Sequence, residues 1–257
     1  MLFLLSPSKT LDFNGSATSP RSTPRMRGSA AELVSIMRSK TSEEIEEMMS
    51  VSTELARMNW NRYQNFNPER YTSRNSRQAI FAFRGQVYHG LQAETFNQED
   101  LEFAQKHLRI LSGLYGLLRP MDAIQPYRLE MGAQLHTPAG KSLYDYWGDD
   151  ITDLLNKDLR GHSEKVVVNL ASQEYFKAVQ PERLKGSLLN ISFKEWKNDT
   201  LKIIAVYAKT ARGLMSRYAI RNKIEEPEDL KGFDLEGYSW SKEYSSESEW
   251  VFVRVSG

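Results

Sequence analysis

The sequence contains no cysteine among its 257 residues. This absence excludes disulfide bonds, thiolate nucleophiles and iron–sulfur or zinc sites that depend on cysteine ligands. Histidine is scarce as well, and its four copies share no spacing typical of metal ligands: His89, His107, His136 and His162. We therefore expect neither a metal site nor a cofactor.

Long hydrophobic runs are also missing. The apolar run at residues 1–5 has no basic residues before it, and it is too short for a signal peptide or a membrane span. We expect a cytoplasmic protein without a membrane partner. No linker or solenoid-type repeat divides the chain, which predicts a single domain over residues 1–257. The oligomeric state stays open, with a monomer favoured.

The net charge of +1 gives no sign of a nucleic-acid partner, but the charge is unevenly distributed. Residues 165–221 hold eleven Lys or Arg against four acids, whereas residues 222–250 hold three against nine. Such blocks are usually solvated faces. In the helix predicted over residues 208–221, however, Lys209, Arg212, Ser216 and Arg217 share the arc opposite the apolar residues. That cationic stripe suits a phosphate backbone.

Hydrophobic periodicity and capping residues predict an α+β (mixed α/β) fold in which helices flank a mixed sheet. Strands are predicted at 1–5, 165–170, 188–196, 201–207 and 250–255, the third and fourth forming a hairpin. Helices are predicted at 30–40, 42–49, 55–63, 97–111, 149–159, 174–179 and 208–221. Thr41 and Glu44 match a capping box before the second helix. Residues 14–29, rich in Ser, Thr, Pro and Gly, predict a flexible loop.

Residues 108–132 are the most informative stretch. An apolar stripe after the N-cap Asn97 predicts a helix that ends at Ser112-Gly113. Gly116 permits a second bend, and a short apolar turn before Pro120 follows. This pattern predicts a helix–hairpin–helix element whose backbone N–H groups bind phosphate. Lysine and arginine dominate the stretch: Lys106, Arg109, Arg119 and Arg128. The alternative is a tight corner in the core with solvated arginines.

Two short motifs resemble enzyme signatures. Residues 6–9 match S-x-x-K, but the partner motifs of serine acyl-enzymes are absent. Lys9 remains a candidate because the ends of buried strands often open onto clefts. The Gly-Lys-Ser at 140–142 fails as a phosphate loop because Leu135 stands where glycine is needed. Glu130 and Glu174 are candidate polar groups of a cleft, as an acid–base pair or as arginine partners.

Five segments resemble the YaaA family of bacterial peroxide-stress proteins. They are SPSKTLDF (6–13), RQAIFAFRGQVYHGLQAETF (77–96), LRILSGLYGLLRPMDAIQPYRLEMG (108–132), VVNLASQEYFKAV (167–179) and AKTARGLMSRY (208–218). Ser8 and Thr210 depart from the family pattern, which usually has Ala and Lys there. The second departure removes one cation from the stripe.

The resemblance implies a cytoplasmic protein that protects cells against hydrogen peroxide and is linked to lower free iron. It also implies binding of double-stranded DNA, a basic cleft and a helix–hairpin–helix, which we place at residues 108–120. The predicted DNA contacts are Lys9, Arg84, Arg109, Gly113, Gly116, Arg119, Arg128, Lys209, Arg212 and Arg217. We favour a DNA-binding protein over an enzyme. The alternatives are an enzyme acting on a phosphorylated or nucleotide-like small molecule, and an interaction protein using the acidic region.

Overall fold

The structure is a computed structural model that describes residues 1–14, 21–197 and 200–255. The strands in these ranges are β1 Leu2–Leu5, β2 Arg77–Gln78, β3 Leu108–Ser112, β4 Gly116–Leu118, β5 Ala123–Ile124, β6 Val166–Asn169, β7 Ser187–Lys197, β8 Thr200–Lys202, β9 Ser239–Ser241 and β10 Glu249–Val255. The α-helices are α1 Arg27–Arg38, α2 Ser42–Met49, α3 Thr53–Asn65, α4 Ala79–Ala82, α5 Gln86–Leu91, α6 Gln98–His107, α7 Leu143–Trp147, α8 Asp150–Leu159, α9 Gln173–Phe176 and α10 Ala205–Arg221.

Eight strands form one mixed sheet in the order β4-β3-β1-β6-β7-β10-β9, with β8 paired to β7. The five strands β3, β1, β6, β7 and β10 run parallel to their neighbours in this series. The strands β4, β8 and β9 pair antiparallel with β3, β7 and β10. The separate pair β2–β5 is also antiparallel. This arrangement confirms the predicted mixed α/β class.

Strand β1 lies between two parallel neighbours, and all four of its residues are buried. A strand in that position has to be apolar on both faces, which is why its sequence is a continuous hydrophobic run. Buried apolar residues from Met1 to Phe252 join in one hydrophobic cluster around it. The predicted strand at 1–5 is confirmed.

The chain changes direction across the sheet at β1. It first adds β3 on one side of β1 and then adds β6 on the other side. In open parallel sheets such a reversal leaves a crevice beyond the carboxyl ends of the two strands that flank it. The topology therefore points to the ends of β1 and β6 as a place for a site.

Local capping signals identified helix boundaries well. The Thr41 hydroxyl accepts the Glu44 N–H at 3.2 Å, and the Glu44 carboxylate accepts the Thr41 N–H at 2.8 Å. Helix α2 therefore has the predicted bounds. Asn97 also caps α6 as predicted. The hairpin of β7 and β8 is confirmed, although positions 198–199 lie outside the described residues and β8 is shorter than the predicted strand.

The prediction of a loop over residues 14–29 is wrong for residues 27–29. Positions 15–20 of that stretch lie outside the described residues. Helix α1, however, already begins at Arg27. Just before it, an Arg25 guanidinium nitrogen lies 2.6 Å from a carboxylate oxygen of Asp158. Arg25 is therefore held by an ion pair to helix α8. The composition of residues 14–29 could not indicate a contact with so distant a residue.

The predicted helix–hairpin–helix at residues 108–120 is wrong. Helix α6 ends at His107, and Leu108 already has extended backbone angles. The following residues form the antiparallel hairpin of β3 and β4, in which Ser112 pairs with Gly116. Gly116 adopts a φ of 65°, the left-handed conformation that glycine accepts without steric cost.

The error has a physical cause. All five residues of β3 are buried, because β3 continues the parallel sheet beside β1 and carries β4 on its other edge. A strand buried on both faces is apolar at nearly every position, so any helical spacing can be found in it. The glycines thus mark a β-turn in the core, and their N–H groups are not the start of a helix.

Helices α5 and α10 pack closely through two glycines. A Cβ atom on Gly213 would overlap the carbonyl oxygen of Val87, and one on Gly90 would overlap that of Thr210. The two backbones can approach this closely only without side chains at these positions. The contact fixes the position of α10, the helix that carries the predicted cationic stripe.

We predict that Gly213→Ala lowers the free energy of unfolding by about 1–3 kcal/mol, because the added methyl group overpacks the contact. Gly28→Ala is the matched control, since nothing lies within 4 Å of a Cβ there. Urea denaturation of both variants measures the difference. Equal stability of the two variants would contradict the close contact.

Candidate functional site

A cleft of about 550 Å³ lies beyond the carboxyl ends of β1 and β6. The segments that follow these two strands form part of its lining, and they are tied together by their serines. The Ser172 N–H donates to the Ser6 hydroxyl oxygen at 2.8 Å, and the two hydroxyl oxygens are 3.2 Å apart. The crevice expected from the strand order is therefore present.

Two buried tyrosines support the cleft. The Tyr88 hydroxyl donates to the carbonyl oxygen of Ser6 at 3.1 Å, and Tyr175 follows the β6 segment. Burial raises the pKa of both phenols well above the usual range, so both stay protonated at neutral pH. They contribute hydrogen-bond donors and apolar surface to the cleft, and no negative charge.

The structure brings five of the predicted residues to the lining of this cleft: Lys9, Arg84, Glu174, Lys209 and Arg212. Glu130 lies next to them, because its carboxylate is 2.5 Å from the Lys9 ammonium and 3.0 Å from a nitrogen of Arg128. Glu174 accepts the N–H of Gly132 at 3.2 Å. Glu130 is thus a partner of an arginine and a lysine, whereas Glu174 is held by a backbone N–H and has no ion pair with an arginine among the described residues.

Arg84 is also compensated by acids. Its guanidinium lies 2.9 Å from Asp12 and forms a second ion pair with Glu94. A backbone hydrogen bond from Asn14 and the Arg84 guanidinium lower the pKa of Asp12. Much of the positive charge expected at the cleft is therefore balanced within the protein.

Arg212 differs from these cations. Its guanidinium is half-buried, its Nε has no hydrogen-bond partner, and none of its ion-pair distances falls within 4 Å among residues 1–14, 21–197 and 200–255. Burial lowers its pKa, yet a guanidinium remains charged at neutral pH. A partly desolvated cation without a counterion is unfavourable. An anion entering the cleft would relieve this cost.

Lys209 lies one helical turn before Arg212 and is exposed, again without an ion pair to any described residue. Ser216, which the helical spacing assigned to the same stripe, is instead 1% exposed. Its hydroxyl donates to the carbonyl oxygen of Arg212 at 3.0 Å. That prediction was wrong because α10 is covered by neighbours over more than half of its circumference.

Arg109 and Arg119 are not at the cleft. Arg109 is 5% exposed, and its Nε lies 2.6 Å from Asp158. Burial lowers the pKa of Arg109. Arg119 lies 2.9 Å from the fully buried carboxylate of Asp122. Both arginines thus serve as counterions of acids of the protein, a partly buried one for Arg109 and a buried one for Arg119, so neither is available to an external phosphate in this structure.

The two hairpin glycines are also enclosed. Gly113 packs against the backbone of Leu129 and Glu130, and the indole N–H of Trp147 donates to its carbonyl at 3.0 Å. Gly116 packs against Met26 and Trp147. Neither glycine is among the residues that line the cleft.

Arg217 lies on α10 beyond the cleft lining, where it donates to the Gln92 side-chain oxygen at 2.6 Å. Ser172, Gln86 and Tyr88 line the cleft, although they were not predicted from the sequence. Ser172 follows a buried strand just as Lys9 does, so the rule that identified Lys9 would also have identified it. Gln86 and Tyr88 had no such signal.

A second group of residues gathers at the amino ends of β1, β3 and β6. The rings of His107 and His162 are 4.7 Å apart, beside a cavity of about 520 Å³. The His107 Nδ1 donates to the carbonyl oxygen of Met1 at 3.0 Å, and its Nε2 faces Glu225 at 3.4 Å. Spacing along the chain could not indicate this pair. Even so, no group of three or more His, Asp or Glu among the described residues is arranged to hold a metal ion.

None of the helices in the described ranges is long and apolar enough to cross a membrane. The fold and site define a class: an α/β protein with a cleft at the reversal point of a parallel sheet. The family model described as peroxide stress protein YaaA matches residues 1–244. A relative named UPF0246 protein, from Acaryochloris marina (strain MBIC 11017), is 51% identical over 254 residues, covering 99% of this chain and 100% of the relative. The chain belongs to the YaaA family of peroxide stress proteins, which confirms the resemblance.

The histidine pair predicts a pH dependence of stability. Burial, with nearby positive charge, lowers the pKa of His162 to about 4 from 6.5. As the pH falls from 6.5 toward 4, the unfolded chain binds a proton at this position before the folded chain does, so stability decreases over that window. We expect His162→Gln to flatten this decrease in denaturation measured at pH 7, 6 and 5. The exposed His89→Gln is the control, and unchanged pH dependence in His162→Gln would contradict the assignment.

Proposed function

We propose that this peroxide stress protein binds double-stranded DNA through the cleft, with little dependence on base sequence. The observation that carries the proposal is Arg212, a half-buried guanidinium that has no acid partner among the described residues. A DNA phosphate supplies the missing counterion without needing any base-specific contact. The family match supports a role in peroxide stress.

The cations on α10 favour an extended ligand. Lys209, Arg212 and Arg217 span about 12 Å along the helix axis, which is about the rise of three to four nucleotides of one strand. Lys9 and Arg84 have a secondary role in this proposal, because each already has a carboxylate partner. Either cation can contact a phosphate only after that carboxylate is displaced or shared. Arg109, Arg119, Gly113 and Gly116 are not part of this proposal.

The proposed link to oxidative damage is indirect. A protein bound along the phosphate backbone covers part of the DNA surface and so protects that part from reaction with peroxide-derived oxidants. In this proposal, any effect on iron is a consequence of the contact with DNA. The proposal thus needs no resident metal.

We predict that the double variant Arg212→Ala and Arg217→Ala weakens binding equally for DNA duplexes of unrelated sequence, because phosphate contacts carry no sequence information. The slope of log affinity against log salt should also become shallower, by about 0.9 for each phosphate that the variant no longer neutralises. Fluorescence anisotropy with two unrelated 20-base-pair duplexes at several salt concentrations measures both effects.

Arg160→Ala is the matched control for that experiment. Arg160 is exposed and lies at the end of α8. Its carbonyl oxygen accepts a hydrogen bond from the ammonium of Lys165, which precedes β6. Arg160 therefore lies at the opposite end of the sheet from the cleft. The control should bind like the unchanged protein. Two results would contradict the cleft as the DNA site. One is undetectable duplex binding by the unchanged protein, and the other is a loss of affinity in Arg160→Ala equal to that of the double variant.

A second candidate function is an enzyme acting on a phosphorylated or nucleotide-like small molecule. The cleft volume favours it, because about 550 Å³ lies within the range of about 300–1,000 Å³ that small-molecule sites occupy. Its place at the reversal point of a parallel sheet favours it too. The ligand would then contact Arg212 together with Lys9, Glu130, Glu174 and Lys209.

Thermal denaturation separates the two functions, since a ligand of the folded state raises the melting temperature. Under the DNA proposal, a short duplex should raise it, whereas ribose 5-phosphate, which has a phosphate but no base, should not at 1 mM, a concentration about a thousand times a micromolar dissociation constant. The reverse result would favour the small-molecule function and count against DNA. Arg212→Ala should abolish whichever shift is seen.

A further inference from the structure

A small pocket beside the cleft carries an unusual concentration of exposed apolar surface. Five large hydrophobic side chains are exposed in the described part of the chain, and three of them are Ile203, Val206 and Tyr207. Val206 and Tyr207 lie in the first turn of α10 and line the pocket, whereas Ile203 lies just before the helix and outside the pocket lining. Single exposed hydrophobic residues need no explanation, but a cluster marks a contact surface.

The pocket has a volume of about 280 Å³. Its lining combines an aromatic wall with polar groups: Gln86, Val206, Thr210, Tyr207, Tyr238 and Arg254. The Thr210 hydroxyl donates to the Gln86 side-chain oxygen at 3.1 Å. The volume is below the range of about 300–1,000 Å³ typical of pockets that enclose a whole drug-sized ligand, so the pocket suits one planar group of a larger molecule.

The Tyr207 ring packs against the side chain of Arg254. The Arg254 guanidinium lies 4.4 Å from the centre of the Tyr207 ring and 4.9 Å from that of Tyr238. Arg254 is fixed in turn by the buried carboxylate of Glu195 at 3.0 Å, which also accepts the Tyr238 hydroxyl at 2.8 Å. One face of the Tyr207 ring is therefore supported, while 45% of the residue remains exposed. Such a preorganised ring is suited to stacking.

The pocket and the cleft adjoin each other. Gln86 lines both, and both use α10 as a wall. Along this helix Tyr207 and Thr210 face the pocket, whereas Lys209 and Arg212 face the cleft. A ligand that spans both must be anionic on one side and flat and apolar on the other.

We propose that this pocket binds a single unpaired nucleobase, stacked on Tyr207, while the phosphates of the same strand lie on Lys209 and Arg212. This inference rests on the proposed DNA binding and deepens it by naming the strand element that the site takes. A nucleobase has a flat π-face for Tyr207 and polar edges for Gln86 and Thr210, and it is attached to the phosphates that the neighbouring cations need. An apolar peptide segment would leave those cations unpartnered.

The test compares two DNA ligands: a fully paired 20-base-pair duplex, and the same duplex with three unpaired nucleotides at its centre. We expect Tyr207→Ala to weaken binding of the second ligand about 5- to 150-fold, the value of one base–aromatic stack, and to leave duplex binding unchanged. Tyr207→Phe should retain the affinity, because it keeps the ring. Tyr244→Ala is the matched control, since Tyr244 is another exposed tyrosine, outside the pocket.

A second readout places the fluorescent base 2-aminopurine among the unpaired nucleotides. Its emission should change on binding to the unchanged protein and to Tyr207→Phe, but not on binding to Tyr207→Ala. If Tyr207→Ala fails to fold, Tyr207→Leu replaces it, because leucine keeps apolar bulk over Arg254 and lacks a ring face.

The outcomes are distinct. If both DNA ligands bind and Tyr207→Ala changes neither affinity, or changes both equally, the base pocket is overturned and the proposed DNA binding stands. If the unchanged protein binds neither ligand, the proposed DNA binding itself fails. Selective loss for the unpaired ligand, restored by Tyr207→Phe, supports the pocket.

Discussion

The burial of β1 between β3 and β6 is the constraint on which the rest of the structure depends. Because β1 has parallel neighbours on both sides, the chain has to leave its carboxyl end by a loop and return at the same edge after β6. The two loops meet through Ser6 and Ser172, and the cleft opens beside them. The site is thus a consequence of strand order, and it does not require any particular loop sequence to exist.

Charge compensation decides what the cleft can bind. In a chain of net charge +1, most cations that the sequence places near the site are used internally: Lys9 by Glu130, Arg84 by Asp12, and Arg109 by Asp158. Removing one partner of a buried pair costs about 3–5 kcal/mol, so the pair of Arg109 and Asp158 is not easily exchanged for a phosphate. The pairs of Lys9 with Glu130 and of Arg84 with Asp12 are in contact with solvent, where an ion pair is worth about 0–1 kcal/mol, so they can be exchanged more easily. Under the proposed function, affinity for an anion would therefore concentrate on α10, where Arg212 has no acid partner among the residues that the structure describes.

Local signals in the sequence predicted the fold better than they predicted the site. Capping residues at Thr41 and Asn97 defined helix starts correctly, because a cap is a contact between residues three apart. The strand at 1–5 was readable from its continuous apolar run. The segment after His107 was not, since a fully buried strand satisfies a helical pattern by chance.

The site was harder to predict because its charges are settled by contacts between residues far apart in the chain. Arg109 and Asp158 are 49 positions apart, and nothing near either residue indicates the pair. The same is true of Arg84 and Asp12. Lys9 and Arg212 were identified because each follows from an element that local pattern defines, the end of β1 and the polar arc of the helix at residues 208–221. Sequence thus predicts where a cation is presented, whereas the tertiary fold decides whether it is already neutralised.

Helix α10 joins stability to function in one element. Its contact with α5 through Gly213 and Gly90 leaves no room for side chains, and this close approach sets the depth at which Arg212 is held in the cleft wall. The same approach brings Thr210 to Gln86, between the cleft and the neighbouring pocket. If α10 shifted outward to admit a Cβ, Arg212 would gain water and lose the desolvation that makes an external anion favourable. The glycines are therefore expected to influence ligand affinity without touching the ligand, because they fix how far the guanidinium is withdrawn from solvent.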